Sequence, residues 1–238
     1  MSVFFISDLH LTPERPDIAR AFSYFLSNTA PNAESLYLLG DIFDAWIGDD
    51  AAVPGLEPLV QQLKTLSDSG CKLYFQHGNR DFLVGQTFAD SIGAELLPDA
   101  VVHSLPIGDV LLMHGDQLCI DDQEYIRFRE MVRNPQWQQM MLSKSIEERL
   151  GIAKQLRETS QEKTAAKADY ITDVNASEVN AQLDAHKVNM MIHGHTHRPA
   201  IHKLDDSEAT RIVLGDWDKK GWYLEVNQDG YDLVSFDI

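Results

Sequence analysis

The chain has 238 residues, 44% hydrophobic and 24% charged, which excludes disordered and fibrous classes and suffices for one large domain or a domain with an insertion. Lys plus Arg number 20 against 37 Asp plus Glu, a net charge of −17, so the long-range field repels phosphate backbones and disfavours nucleic acid as a partner. Cys71 and Cys119 lie far apart and outside any C-x-x-C pattern, which points to a reducing cytoplasm rather than to a disulfide framework or a thiolate metal site.

The apolar start, Val3 to Ile6, lacks the length and basic flank of a signal peptide, and no apolar run approaches the about 20 residues of a membrane span. A soluble protein is expected, attached at most to a membrane surface. In chain order, Val3 to Ile6, Leu36 to Leu39, Lys72 to Phe75, Val110 to Met113, Asn189 to Ile192 and Ile212 to Leu214 are apolar runs bounded by polar clusters, which predict buried strands. Helical spacing joins Ile18, Phe22, Phe25 and Leu26, then Leu56, Leu59, Val60, Leu63 and Leu66, closed by Gly70. This alternation predicts an α/β fold with a substantial parallel component. Trp222 to Val226 and Tyr231 to Phe236 flank Asn227-Gln228-Asp229-Gly230 and predict a hairpin.

The rhythm breaks at 122–168, which predicts an inserted helical unit within a core of 1–121 and 169–238. Asn134-Pro135 punctuates it, and Ser145 with Glu148 makes a capping box for the helix that follows.

Five motifs sit where predicted strands end: Asp8-Leu9-His10, Gly40-Asp41, Gly78-Asn79-Arg80-Asp81, His114-Gly115-Asp116 and Gly194-His195-Thr196-His197. In open α/β sheets ligands bind beyond the carboxyl ends of the strands. On extended backbone, i and i+2 side chains point one way, so Asp8 with His10 and His195 with His197 are each expected to offer two ligands. Imidazole nitrogen with carboxylate oxygen suits borderline first-row divalent metals. Two aspartates, one asparagine and four histidines are too many for one ion, and fit two ions about 3.5–4 Å apart with a shared carboxylate. The remaining histidines, His77, His103, His186 and His202, are read as ordinary residues or as supports of the ligands, with His77 the first choice for a support beside the metal.

These motifs resemble the signature of the calcineurin-like metallophosphoesterases along nearly the whole chain. The resemblance implies a four-layer α/β/β/α sandwich with one metal held by Asp8, His10, Asp41 and His197, the other by Asp41, Asn79, His114 and His195, and Asp41 bridging. It further implies that a water activated by the two metals attacks phosphorus in line. Arg80 stands where many members carry His. A guanidinium is no proton donor near neutral pH but clamps phosphate oxygens, which favours a good leaving group and hence a diphosphate substrate.

Gly-Asn-Arg-Asp-Phe-Leu at 78–83, His-Gly-Asp-Gln-Leu-Cys at 114–119 and the helical insertion resemble one branch, the UDP-2,3-diacylglucosamine hydrolases of lipid A biosynthesis. That branch implies two Mn²⁺ per chain, a lipid-linked nucleotide sugar cleaved to UMP and 2,3-diacylglucosamine 1-phosphate, and peripheral attachment to the cytoplasmic face of the inner membrane. No protein partner is implied. It gives catalytic roles to Asp41, Asn79, Arg80 and His195, and substrate contacts to Asn79, Arg80, Asp122, Ser160, Thr164, Lys167 and His195.

Independently of that resemblance, residues 127–167 hold nine Lys or Arg and five Glu, a net of +4, leaving −21 for the rest. Trp137, Phe128 and several Met and Leu accompany this charge. A basic and apolar segment is expected to meet anionic lipid or acyl chains, and Ser160, Thr164 and Lys167 to share one helix face.

Overall fold

The computed structural model describes residues 2–51, 53–165, 171–204 and 208–238, with the backbone alone over 160–165. Strands β1 (Ser2–Ile6), β2 (Ala33–Leu39), β3 (Lys72–Gln76) and β4 (Ala94–Leu97) run parallel in that order. Helices α1 (Pro16–Asn28), α2 (Glu57–Asp68) and α3 (Gln86–Ile92) make the crossovers. The hairpin of β10 (Lys220–Asn227) and β11 (Gly230–Asp237) adds antiparallel to the free side of β1, giving the order β11-β10-β1-β2-β3-β4. A second sheet combines β5 (Ala100–Leu105), β6 (Gly108–Met113), β7 (Met190–His193), β8 (Ala200–Lys203) and β9 (Thr210–Val213) in the order β5-β6-β7-β9-β8. Its three central strands are parallel and its edges antiparallel.

Alternate side chains hold the two sheets together. Val3, Phe5, Tyr37 and Leu39 from one meet Val110, Leu112, Ile192 and Ile212 from the other in a shared buried cluster. The intervening residues Phe4, Ile6, Leu36 and Leu38 face α1, α2 and α3, whereas Leu111, Met113 and Met191 face Val179 and Leu183 of α7 (Ala176–His186). This is the α/β/β/α sandwich. Burial on both faces explains why the central strands are unbroken apolar runs. The edge strands β4, β5 and β8 have no such signal, because partly exposed strands mix residue types and are defined by their pairing.

Between β6 and β7 the chain forms α4 (Gln123–Arg133), α5 (Pro135–Leu142) and α6 (Ile146–Ala165). Asn134 caps α5 by accepting from the N–H groups of Gln136 and Trp137. The Ser145–Glu148 capping box closes in both directions: Ser145 N–H donates to Glu148 Oε2 at 2.9 Å, and Glu148 N–H to Ser145 Oγ at 3.2 Å.

Four of the nine Lys and Arg of this stretch are turned inward, onto acids of the body. Arg129 pairs with Asp99 and Asp116, Arg133 with Asp99, Arg149 with Asp50 and Arg157 with Asp44. An acidic body and a basic insertion attract each other first, because the intramolecular partner is always present. The apolar excess stays outside: Met131, Met140, Leu142, Ile146 and Leu150 are five of the seven exposed large hydrophobic side chains among the described residues. No described helix is long and apolar enough to cross a membrane.

Arg149 is buried and also donates to the Ile47 carbonyl at 2.7 Å, so it anchors the start of α6. Arg149→Met should raise the rate of limited proteolysis within 143–165 severalfold while far-UV circular dichroism stays unchanged. Equal cleavage rates would show that α6 is held by other contacts.

Candidate metal centre

The five motifs follow β1, β2, β3, β6 and β7, parallel strands that all deliver their carboxyl ends to one edge of the sandwich. Six described non-glycine residues have positive φ, and five are candidate ligands: Asp8 (56°), His10 (49°), Asp41 (53°), His195 (68°) and His197 (55°). The sixth, Lys187, ends α7. This corrects the expectation of extended backbone at Asp-x-His and His-x-His: each pair converges from left-handed turns instead. Such conformations cost roughly 1–3 kcal/mol each and persist only where the surroundings enforce them. Gly40 (φ 86°) belongs to the same device, since a Cβ there would lie 2.5 Å from the Gly78 nitrogen.

Asp8, His10 and His197 bring ligand atoms within 4.8 Å of one another, and so do Asp8, Asp41 and His114. Asp41 presents one oxygen to each side, with Oδ2 3.9 Å from His10 Nδ1 and Oδ1 3.8 Å from His114 Nε2. Asn79 Oδ1 joins the second group, 3.0 Å from His114 Nε2 and 2.8 Å from His195 Nδ1. All seven candidates therefore form one cluster. By these distances Asp8 also belongs to both groups, in addition to the bridging position of Asp41.

The residues fit divalent ions on two observations. First, Asp8 Oδ1 and His10 Nδ1 are buried and have no hydrogen-bond partner in the structure, a costly condition for polar atoms unless a ligand satisfies them. Second, the supporting contacts aim the lone pairs inward. His114 Nδ1 lies 2.9 Å from the Leu39 carbonyl, which selects the tautomer that leaves Nε2 free. Asp8 Oδ2 accepts from Ser7 Oγ and from His195 N–H at 2.9 Å, leaving Oδ1 for an ion.

Electrostatics in the cluster follow from burial and crowding. Burial, reinforced by Asp81 and Asp8, raises Asp41 to about 7 despite the opposing pull of His114. Burial and His114 push His195 down to about 4, keeping a neutral, ligating imidazole. His197 moves the other way: burial lowers it, but the Asp8 carboxylate, whose Oδ1 lies 3.4 Å from its Nε2, prevails and raises it to about 9. For His114, burial likewise opposes protonation, yet Asp41, Asp8 and Asp116 raise it. Asp8 itself is held low by His197 in spite of complete burial.

Three further carboxylates, none of them a candidate ligand, support the cluster. Asp81 is fully buried and accepts from the N–H groups of Gly78 (2.7 Å), Asp41 (3.2 Å) and Ile42 (2.8 Å), clamping the loops after β2 and β3 together. Asp44 holds Arg80 Nη1 at 2.8 Å and also receives Arg157 from α6. Asp116 accepts from Tyr125 Oη at 2.7 Å and Arg129 Nε at 2.9 Å, tying α4 to the site. Asp81 was legible as the fourth residue of its Gly-Asn-x-Asp motif. Nothing local marks Asp44 or Arg157, which meet across 113 positions.

The other predicted site residues separate. Arg80 is partly exposed beside the cluster, its Nε 3.6 Å from Asp41 Oδ2. The Asp122 side chain caps α4 by accepting from Tyr125 N–H at 3.0 Å. Ser160 and Thr164 lie on the backbone of α6, and Lys167 lies outside the described residues. His77 sits on no ligand: its Nε2 is 2.7 Å from the Val84 carbonyl, which corrects its expected place beside the metal. His193, which carries no motif signal of its own, is instead fully buried under the His195 loop.

A sandwich with this ligand cluster at its strand ends defines a metallophosphoesterase, and the calcineurin-like phosphoesterase family model matches residues 1–199. UDP-2,3-diacylglucosamine hydrolase of Chromohalobacter salexigens is 51% identical over 232 residues, covering 96% of this chain and 94% of that protein. The enzyme of the same name from Pseudomonas putida is 48% identical over 238 residues, covering 99% of both. The chain belongs to the UDP-2,3-diacylglucosamine hydrolase family of calcineurin-like phosphoesterases.

Because Asp41, His114 and His197 are all shifted up, ions must displace protons to bind. Each raised group keeps its proton until pH rises through its folded value, so affinity is weakest in acid and grows toward pH about 9. Calorimetric Mn²⁺ titrations near neutral pH, in two buffers of different ionisation heat, should reveal release of about one proton or more. Heats identical in the two buffers would contradict the linkage. Asp81→Ala should leave three loop N–H groups without their acceptor and lower Mn²⁺ affinity by at least about tenfold, read in the same titration.

Proposed function

We propose that the chain hydrolyses the pyrophosphate bond of UDP-2,3-diacylglucosamine, releasing UMP and 2,3-diacylglucosamine 1-phosphate in lipid A biosynthesis. In this proposal two Mn²⁺ are held by Asp8, His10, Asp41 and His197 and by Asp41, Asn79, His114 and His195, with residues 122–168 acting as a cap on the core. The observation that carries it is an apolar cavity of 420 Å³ opening onto the cluster. Asp44, Asn79, Arg80 and Arg157 supply its charged and amide groups, while Trp46, Phe82, Trp137, Met141 and Leu156 are among its apolar lining. A phosphate-cleaving centre joined to an acyl-sized apolar chamber suits a lipid-linked diphosphate and has no use for a soluble phosphoester.

When bound, the ions supply water activation and neutralise charge on the phosphoryl oxygens. The protein contributes orientation. Asp44 holds Arg80 in the wall of the cavity, so the guanidinium is a preorganised clamp for charge that develops on phosphate. Asp41 is fixed by the Arg80 N–H, which donates to its Oδ1 at 2.8 Å. Tyr125 is half-buried with its ring 5.8 Å from that of His195, and it covers the cluster on the α4 side. In this proposal Asp122, Ser160, Thr164 and Lys167 hold the glucosamine; of these, Lys167 lies outside the described residues.

The exposed Met131, Met140, Leu142, Ile146 and Leu150 support work at the cytoplasmic face of the inner membrane, as a peripheral protein. Two acyl chains leaving water at about 0.8 kcal/mol per CH₂ would exceed the practical affinity limit near 20 kcal/mol. The substrate must therefore pass from bilayer to cavity, one apolar medium to another.

Incubation with Mn²⁺ should release UMP from UDP-2,3-diacylglucosamine far faster than it turns over UDP-N-acetylglucosamine or bis-(p-nitrophenyl) phosphate. Equal rates on the soluble compounds would sink the lipid assignment. Arg80→Ala should lower kcat by about 10²-fold, and Asp41→Ala and Asn79→Ala should abolish turnover. In flotation with anionic liposomes, a Met140→Glu, Leu150→Glu double variant should lose most membrane binding; full retention would remove this patch from the interface.

A further inference from the structure

A second cavity, of 240 Å³, borders the ligand cluster from the side of the other sheet. Thr196, between His195 and His197, contributes to its wall with Asp173, Arg198, His202 and Arg211. It shares no lining residue with the apolar cavity: that one is built from the loops after β2 and β3 and from α4, α5 and α6, this one from the loop after β7 and from β8 and β9. The ligand cluster draws on both sets of loops. Five of its eight lining residues are polar or charged, Asp173, Thr196, Arg198, His202 and Arg211, in contrast to the mainly apolar lining of the first cavity.

Its donors are under-used. Arg211 extends from β9 and donates through Nη1 to His193 Nε2 at 3.2 Å, an acceptor because His193 Nδ1 is engaged with the Gly194 carbonyl at 2.8 Å. That is its one side-chain hydrogen bond among the described residues, and no described carboxylate lies within 4.0 Å of it. Asp173, the acid in the same wall, is paired with Arg198. The hydroxyl of Thr196 is buried and has no hydrogen-bond partner in the structure. A partly buried guanidinium and a buried hydroxyl left in this state call for a ligand rich in acceptor oxygens.

We infer that this cavity receives the nucleotide half of the substrate, with Arg211 and Thr196 donating to acceptor oxygens of the uridylate while the lipid half occupies the apolar cavity. The inference rests on the proposed cleavage of a UDP-linked lipid and adds to it where the leaving UMP sits. The scissile diphosphate then spans the cluster between two cavities of opposite polarity, and UMP departs on the side away from the acyl chains.

The test is calorimetric binding of UMP to the Mn²⁺-loaded protein, with inorganic phosphate as the probe of the metal centre alone. Arg211→Gln and Thr196→Val should each weaken UMP binding by about tenfold and leave phosphate binding as it is. In turnover both should raise KM, with inhibition by 2,3-diacylglucosamine 1-phosphate unchanged. Wild-type UMP affinity in both variants overturns the inference, as does a parallel loss of phosphate affinity, which assigns the effect to the metal ligands. Thr196→Val, close to isosteric, decides the matter if Arg211→Gln fails to fold. If the wild type binds UMP, the variants lose it, and the lipid nucleotide is not cleaved, the subsite stands and the proposed reaction falls.

Discussion

Buried like charge is the constraint on which this molecule is organised. Asp8 and Asp41 are both out of water and each is in ligand-forming reach of His114, an arrangement whose self-repulsion only protons or cations relieve. The raised state of Asp41 and the raised state of His197 are two expressions of the same deficit of positive charge. Left-handed backbone at five candidate ligands adds strain to repulsion. A chain that carries both costs at one edge of its sandwich is built to have them offset by divalent ions.

The rest of the structure keeps that edge rigid. The inter-sheet core positions the ends of β1, β2, β3, β6 and β7, and Asp81 locks the loops after β2 and β3 to each other through their own N–H groups. The insertion attaches by the same chemistry that the centre needs, arginine against aspartate. Arg157 meets Asp44, which also braces Arg80, and Arg129 meets Asp116 under Tyr125. Helix α6 and Arg80 are thus connected by one buried carboxylate, Asp44.

Charge also divides the molecule by function. The net of −17 is not spread evenly: acids of the body pair with four arginines of the insertion, and the exposed side of the insertion carries five large apolar side chains among its polar ones. The surface that distinguishes this chain is therefore a hydrophobic one beside a polar reaction centre, a division suited to a substrate with one half in lipid and the other in water.

The ligand types, their order and their positions after apolar runs were legible in the sequence, because a metal centre constrains residue identity wherever it touches the chain. So were the central strands, the hairpin at Asn227 to Gly230 and the Ser145–Glu148 cap, each of which depends on residues close in sequence. Tertiary structure alone decided the edge strands β4, β5 and β8, the left-handed turns that aim the ligands, the inward direction of Arg129, Arg149 and Arg157, and the roles of Asp44 and His193. Each of these depends on partners brought together over tens to hundreds of positions. Composition can count such charges, but whether an arginine meets water, lipid or a distant aspartate is settled only when the chain has closed on itself.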